Sequence, residues 1–370
     1  GSEEVSANCN YLDYWRKLTS DNCPIIFYYL ELTGLALSDD LYIKMNARGK
    51  SLTNFENFKA DLVDFVKEKE LDKDKEPQNT IAHKLDTVWT DIFWKNKSEN
   101  FKIDEIYFAF FNRYFLNNLI TAKKPNGKDL FTQEEIESNK LFKYLYGETG
   151  NDSKVKYYSF DIYESENLLN KELFERLTYS LDNFHASFNN FSIDDIKNHF
   201  LPIWHDNSNF RFIPEYAENK TNEYDELKYI PSLITQSHRV VLYAICCYFE
   251  NNSYEEISFN QWMRVVWNIV ENTNIEGTSS MIGAMRLIDE LKDASNDIYS
   301  FLSNTKNEIK SDTASEQVAE EREKARQIIE NSEWKNSEGQ SWEEKIIMAE
   351  KSEFFKGAIR FLFRVSENEY

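Results

Sequence analysis

Apolar residues recur at every third or fourth position along most of this 370-residue chain, which is the spacing of one face of an α-helix. Only 10 glycines and 6 prolines interrupt the pattern, so the segments between them are long enough for helices. In the first part of the chain, the spacing predicts helices over 78–96, 103–122, 133–146, 166–188 and 192–201. In the last third, it predicts helices in "ITQSHRVVLYAICCYFEN", "SFNQWMRVVWNIVENT", "SSMIGAMRLIDELKDASNDIYSFL" and "SWEEKIIMAEKSEFFKGAIRFLF". The predicted fold class is mainly α, with a multi-helical domain.

The N-terminal part departs from the helical pattern. The segment "CPIIFYYLEL" is rich in β-branched and aromatic residues, and "LYIKMN" alternates apolar with polar residues, so both are predicted strands. Two strands are barely stable as an isolated sheet, and we interpret them as the edge of a larger one. We therefore expect a small N-terminal α/β remnant (strand, turn and helix) over 1–70 and a helical domain over 71–370. A further division of the helical domain near 190–230 stays open.

One predicted helix is strongly charged. The segment "TASEQVAEEREKARQIIEN" has few apolar positions, and they are Val318, Ala325, Ile328 and Ile329. A helix with a single narrow apolar side is typical of the surface. We expect this helix to lie on the outside of the domain.

The charge balance limits the partners of the chain. Lys and Arg total 43 against 64 Asp and Glu, so the formal net charge is −21. Such a surface repels phosphate backbones and anionic membranes unless its basic residues cluster on one face. Aromatic residues make up 15% of the chain, which is far from the composition of a disordered protein. A folded domain that attracts basic rather than acidic partners is expected.

The cysteines and the apolar segments indicate the compartment. Cys9, Cys23, Cys246 and Cys247 are too few and too irregularly spaced for a disulfide framework or a zinc site. No segment approaches the roughly 18 consecutive apolar residues of a membrane span. We expect a cytoplasmic protein without a membrane partner.

The segment "LYIKMNARGKSLTNFENFKADL" contains the most distinctive local motif. Gly49, Lys50 and Ser51 look like the end of a phosphate-binding P-loop, but the required earlier glycine is replaced by Lys44. Thr53 and Glu56 have the spacing of a capping box, so the motif is predicted to join a strand to a helix.

This predicted turn has two interpretations. Asn46, Arg48 and Lys50 lie in front of a helix N-terminus, an arrangement that binds anions in many proteins. Strand-to-helix turns with a single glycine are also common without any ligand, and this structural interpretation is favoured. The phosphate-site interpretation stays open beside it.

Two apolar helices carry cations that the hydrophobic pattern does not explain. His238 and Arg239 begin one of them, and Arg264 lies within the other. A buried cation needs an anionic partner. An ion pair with one of the many acids is the favoured interpretation, and a contact with a ligand or with DNA is the alternative.

A metal-dependent hydrolase is a weaker hypothesis. His199, His205 and Asp206 are the only close group of metal-ligand residues in "HFLPIWHD". Their spacing differs from that of a zinc-hydrolase helix, in which two histidines four apart flank a glutamate. No metal site is predicted, and no nucleophile elbow or paired Cys–His pattern occurs.

The turn also carries a resemblance to a known family. The segment from Asn46 to Thr53 is similar to the Asn-x-x-Gly-x-x-Leu-[Ser/Thr] motif of GmrSD-type restriction endonucleases, with Asn46, Arg48, Gly49, Leu52 and Thr53 at matching positions. The weaker matches are "LDTVWTDIFW", "QSHRVVLYAICCYFEN", "FNQWMRVVWNIVENT" and "EREKARQIIENSEWKNS…WEEKIIMAEKSEFFKGAIRFLF". The resemblance implies a ParB/sulfiredoxin-like N-terminal domain, NTP hydrolysis and modification-dependent DNA restriction or other antiphage defence. In that setting, the turn residues would shape the edge of a nucleotide or DNA site.

Two family signatures are missing from the sequence. The Asp-Gly-Gln-Gln-Arg segment that carries the NTP chemistry is absent before the turn, and no His-Asn-His nuclease motif follows. Gly1-Ser2 resembles the remainder of a cleaved tag, which suggests a fragment. We therefore expect the helical portion of a GmrSD-like protein, in which this chain binds or scaffolds and the catalytic residues stay unidentified. No cofactor is expected in this chain, whereas the resemblance implies NTP, a divalent metal and DNA for the full-length protein. A stand-alone module that binds a basic protein partner is the alternative.

Overall fold

The computed structural model describes residues 11–20, 23, 52–96, 102–146, 157–188, 235–352 and 354–367. These ranges are mainly helical, which confirms the predicted fold class, and they contain two isolated β-bridges but no sheet. The predicted N-terminal strand pair and the predicted helix over 192–201 lie outside the described residues, apart from Cys23 at the start of the first strand.

The chain divides into two compact units, residues 1–51 and 52–370. In the first unit, helix α1 is Tyr11–Leu18, and its described side chains are exposed. The second unit contains all the other described helices. Helix α2, Asn54–Glu68, which the sequence analysis grouped with residues 1–70, belongs to this second unit.

Among its described residues, the first part of the second unit contains α2 and seven further helices. They are α3 Ile81–Asp86, α4 Val88–Asn96, α5 Ile103–Thr121, α6 Gln133–Ser138, α7 Lys140–Tyr146, α8 Asp161–Glu164 and α9 Lys171–Phe188. The helix predicted over 103–122 is present as α5. The helix predicted over 78–96 is broken at Thr87, whose backbone (φ −126°, ψ −107°) is not helical.

The second part of this unit contains seven helices among the described residues. They are α10 Gln236–Asn251, α11 Glu256–Glu271, α12 Thr278–Leu291, α13 Ile298–Ser303, α14 Ser315–Glu330, α15 Trp342–Glu350 and α16 Arg360–Glu367. The described residues of the second unit also contain two short 3₁₀ helices, Pro77–Asn79 and Lys292–Ala294. No helix among the described residues is long and apolar enough to cross a membrane.

The core is built around two helices that are buried on nearly every side. Helix α5 is buried almost continuously from Ile106 to Thr121, and α10 from Arg239 to Phe249. Aromatic side chains from α2 pack on α5, where the ring of Phe55 stacks on Tyr107 at 4.4 Å. Because large rings bury much apolar area and interlock at defined angles, they give this half of the domain a single packing arrangement.

Candidate functional site

Thr53 is the one member of the predicted phosphate-binding turn that the structure describes; Asn46, Arg48, Gly49, Lys50 and Ser51 lie outside the described residues. Thr53 caps α2: its Oγ1 accepts a hydrogen bond from the N–H of Glu56 at 3.2 Å. The Glu56 carboxylate accepts in return from the Thr53 N–H, which completes the predicted capping box. The Thr53 hydroxyl also donates to Asp104 at 3.0 Å. Both hydrogen-bonding functions of this hydroxyl are therefore used within the protein.

His238 and Arg239 lie in the first turn of α10. The N–H of His238 donates to Thr235 Oγ1 at 3.1 Å, and its ring meets Trp267 edge to face at 6.3 Å. The buried Arg239 donates from Nη2 to the carbonyl of Tyr146 at 3.0 Å and lies over the ring of Tyr146 at 4.6 Å. Burial lowers the pKa of Arg239 to about 10, which still leaves it charged at neutral pH. Arg239 thus joins α10 to the end of α7.

Arg264, on α11, lies inside the protein beside two glutamates. Its Nη1 donates to Oε1 of Glu350 at 2.6 Å, and its Nη2 lies 3.6 Å from Oε2 of Glu321. Its Nε donates to the Tyr299 hydroxyl at 2.7 Å, and its guanidinium lies over the same ring. The structure therefore gives Arg264 the internal ion pairs that its buried charge requires.

A lysine completes this group. Nζ of Lys324 lies 2.6 Å from Glu321 and 3.0 Å from Glu350, and it donates to the carbonyl of Gly357. The side-chain amide of Asn268 donates to both glutamates, at 2.9 and 2.8 Å. We call these residues the ionic cluster: Arg264, Asn268, Glu321, Lys324 and Glu350. They come from α11, α14 and α15, so the cluster ties three helices together.

The ionic cluster contains two cations and two carboxylates, and all five of its side chains are buried. The carboxylate of Glu320 also lies 3.0 Å from Nζ of Lys324. Burial raises the pKa of Glu321, and the charges of Lys324 and Arg264 only partly oppose this effect. Burial lowers the pKa of Lys324, but the carboxylates of Glu321 and Glu350 outweigh it and raise the pKa overall. Buried cations and carboxylates that contact one another in this way are the arrangement expected of a structural network.

The acidic partners of Arg264 were not predicted from the sequence. The segment of α14 was predicted to lie on the surface, and this is wrong for Glu321 and Lys324, which are buried. The apolar positions Val318, Ala325 and Ile328 are buried as predicted, whereas Ile329 is exposed. One feature of the sequence did indicate such partners: Arg264 is a cation in the apolar helix α11, and a buried cation requires a carboxylate from elsewhere in the chain.

A metal centre is not found in the part of the chain that the structure describes, where no group of three metal-ligand residues comes together. His199, His205 and Asp206, which carried the hydrolase hypothesis, lie outside the described residues. The hydrolase hypothesis therefore gains no support from the described helices.

Comparisons with known proteins give no match. The chain matches no protein-family model, no curated protein and no solved structure.

Proposed function

We propose that this chain is the helical portion of a GmrSD-like restriction or antiphage defence protein. The likeness of Asn46–Thr53 to the Asn-x-x-Gly-x-x-Leu-[Ser/Thr] motif supports the family assignment. NTP-dependent recognition and cleavage of DNA would then be performed by parts outside this chain, with NTP and a divalent metal as cofactors. A cytoplasmic location is part of this proposal, because restriction acts on DNA that has entered the cell.

Within such a protein, we propose that these helices bind and scaffold. The observation that carries this role is the ionic cluster, which joins helices α11, α14 and α15. Arg264, Glu321 and Glu350 come from the segments "FNQWMRVVWNIVENT" and "EREKARQ…WEEKIIMAEK", which are among those that carry the weaker resemblance. Buried charges that pair with one another across three helices hold those helices in place.

The turn would contribute a phosphate contact. Arg48 and Lys50 are two cations that closely precede α2 in the sequence, and the N-terminus of a helix carries a partial positive charge. In this proposal, the phosphate belongs to a nucleotide or to DNA bound by the full-length protein. Thr53 would keep its structural role as the cap of α2.

A phage challenge tests the proposed function. The complete source gene is expressed in a phage-sensitive bacterium, and plating efficiency is measured for phages with modified and with unmodified DNA. We expect protection against at least one phage with modified DNA, and NTP-dependent cleavage of that DNA by the purified protein. If the gene gives no protection and the protein cleaves none of these DNAs, the restriction proposal is wrong.

A pair of double variants tests the role of the turn. Arg48→Ala with Lys50→Ala should abolish protection, because it removes both proposed phosphate contacts. The matched control is Lys128→Ala with Lys140→Ala, which removes the same charge from two exposed positions of the helical domain. Equal protection by both double variants would show that the turn is only structural.

The second candidate is a stand-alone interaction module. The formal net charge of −21 favours it, because a strongly acidic surface attracts a basic protein partner. This candidate predicts that the gene gives no protection while the purified protein still binds basic peptides.

A further inference from the structure

A cavity of about 270 Å³ opens beside the ionic cluster, between α11, the start of α13, the end of α14 and the start of α15. Its volume exceeds the roughly 150 Å³ of a cavity that holds benzene, and it is smaller than most sites for drug-sized ligands. The cavity therefore has room for one large side chain.

The charged groups that line this cavity are both acidic. They are the carboxylates of Asp297 and Glu343, and no lysine, arginine or histidine of the described ranges lines it. Arg264, which donates to the Tyr299 hydroxyl in the cavity wall, is already paired with Glu350. The cavity thus has a negative potential, which favours a cation and disfavours a phosphate.

Neither carboxylate has a cationic partner among the described residues. Glu343 accepts hydrogen bonds from the Tyr299 hydroxyl at 2.9 Å and from the Gln261 amide at 3.2 Å, both neutral donors. Asp297 occupies the N-cap position of α13, yet its side chain forms no capping hydrogen bond.

Several buried or half-buried carboxylates elsewhere in the domain are paired with cations, whereas Glu343 is half-buried and Asp297 is exposed. Glu250 is paired with Arg176, Asp182 with Lys84, and Asp289 with Lys292. The two carboxylates of the cavity thus lack the partner that these other acids have.

The remaining walls suit the apolar stem of a basic side chain. Ile328, Ile329 and Trp342 line the cavity, and amides and hydroxyls supply its other polar groups. Trp334 meets Trp342 edge to face at 5.1 Å and is 40% exposed, so an aromatic surface continues outward beside the cavity. Lysine and arginine bury their methylene stems against apolar surface while the charged group binds a carboxylate or an aromatic face.

The segment that joins Ser332 to Ser341, two residues of the cavity lining, is held in one shape by its own hydrogen bonds. Oδ1 of Asn336 accepts from the N–H groups of Glu338 and Gln340, and its amide donates to the Gln340 side chain at 3.0 Å. Gly339 adopts a positive φ of 82°, which makes the tight turn between them possible. An ordered connection between two lining residues lowers the entropic cost of binding.

We propose that this cavity binds an arginine or lysine side chain from a basic segment of a partner protein. The exposed surfaces of Ile329 and Trp334 favour a peptide over a free organic cation, because flanking peptide residues would cover them. A bare metal ion fits poorly, since no group of three metal-ligand residues occurs in the described ranges. This site does not depend on the restriction proposal, because it rests on the cavity and its charges alone.

Calorimetric titration of the full chain tests the site. The probes are acetyl-Gly-Arg-Arg-Gly-amide, its uncharged analogue acetyl-Gly-Gln-Gln-Gly-amide, and spermidine as a free cation. We expect the arginine peptide to bind at least tenfold more tightly than the glutamine peptide. Glu343→Gln and Asp297→Asn should each weaken the arginine peptide roughly tenfold, which is the loss expected for one charge-assisted hydrogen bond.

The matched control is Glu338→Gln, which makes the same charge change on an exposed residue that does not line the cavity. It should change the affinity less than twofold. If Glu343→Gln unfolds the protein by disturbing Tyr299, the Asp297→Asn variant is used instead. The Asp297 side chain forms no capping hydrogen bond, so this substitution should leave the fold intact. If Asp297→Asn and Glu338→Gln weaken the arginine peptide equally, the proposed site is wrong, because the peptide is then attracted only by the overall negative charge of the surface. Tighter, Asp297-dependent binding of spermidine would overturn the assignment to a protein partner.

Discussion

The guanidinium of Arg264 and the carboxylate of Glu350, 86 residues apart in the sequence, are joined by a 2.6 Å hydrogen bond inside the protein. The two side chains are 2% and 0% exposed. Both charges have lost their hydration, so each depends on the other and on its neighbours in the ionic cluster. This pair fixes the end of α15 against the middle of α11.

Arg264→Ala should lower the free energy of unfolding by about 3–5 kcal/mol, because it leaves two buried carboxylates with a single cation. Urea denaturation measures this change. The control is Arg326→Ala, which breaks the pair with Glu323 at a position that is 44% exposed. An exposed pair is worth no more than about 1 kcal/mol. Similar losses in the two variants would contradict a stabilising role of the ionic cluster.

Asp289 should make the domain sensitive to acid. Burial alone raises the pKa of this carboxyl, but the charge of Lys292 and the hydrogen bonds from Lys292 and Tyr243 outweigh it and hold the pKa below its usual range. Both donor atoms lie 2.7 Å from the carboxylate. A lowered pKa in the folded state stabilises the protein above the unfolded pKa of about 3.9, and this contribution is lost as the pH falls through the folded pKa.

The stability difference between the natural protein and Asp289→Asn should therefore be large at pH 7 and shrink toward pH 3. Urea denaturation across this range measures the difference. Asp293→Asn, a change at an exposed position one turn away, is the control and should give a small difference throughout. A difference for Asp289→Asn that stays constant from pH 7 to pH 3 would refute the assignment.

Thr53 should act through its hydroxyl as a helix cap. Thr53→Ala removes the acceptor for the Glu56 N–H and the donor to Asp104, and it should cost about 1 kcal/mol. Thr53→Ser keeps the oxygen and should cost only a few tenths of that value. Thermal unfolding of the two variants separates these outcomes. If the two variants are equally stable, the hydroxyl of Thr53 does not stabilise α2 as a helix cap.

Gly283 should resist the substitution that helix propensity favours. Alanine normally stabilises a helix interior by about 1 kcal/mol relative to glycine. A Cβ at this position of α12 would, however, overlap the Thr313 side chain, whose Cβ lies only 3.3 Å away. We expect Gly283→Ala to destabilise the domain by about 1–3 kcal/mol. The double variant Gly283→Ala with Thr313→Gly should recover part of the lost free energy of unfolding, as measured by chemical denaturation. If it recovers none, the contact with Thr313 is not the cause of the destabilisation.

The breaks within helices show where the sequence analysis reached its limit. The 133–146 segment was predicted as one helix, yet it divides at Asn139, whose ψ of 135° is extended. Asn139 accepts from the Phe142 N–H with its own side chain, so it caps the next helix. Asparagine is tolerated inside helices and also favoured at caps, and the choice between the two depends on packing around it.

The sequence by itself determined the helical class, the extent of α5 and the capping box of α2. These features depend on hydrophobic periodicity and on hydrogen bonds between residues a few positions apart. They can therefore be predicted from the sequence alone. It also indicated that Arg264 needs an anion, but it offered 64 acidic residues to choose from.

Only the tertiary structure decided which residues meet across the helices. It selected Glu321 and Glu350 as the partners of Arg264, buried Lys324 from a helix predicted to be a surface element, and left Glu343 beside a cavity without a cation. The physical reason is that the energy of a buried charge depends on its three-dimensional neighbours. Those neighbours lie dozens of residues away in the chain, and only the packing of the helices brings them together.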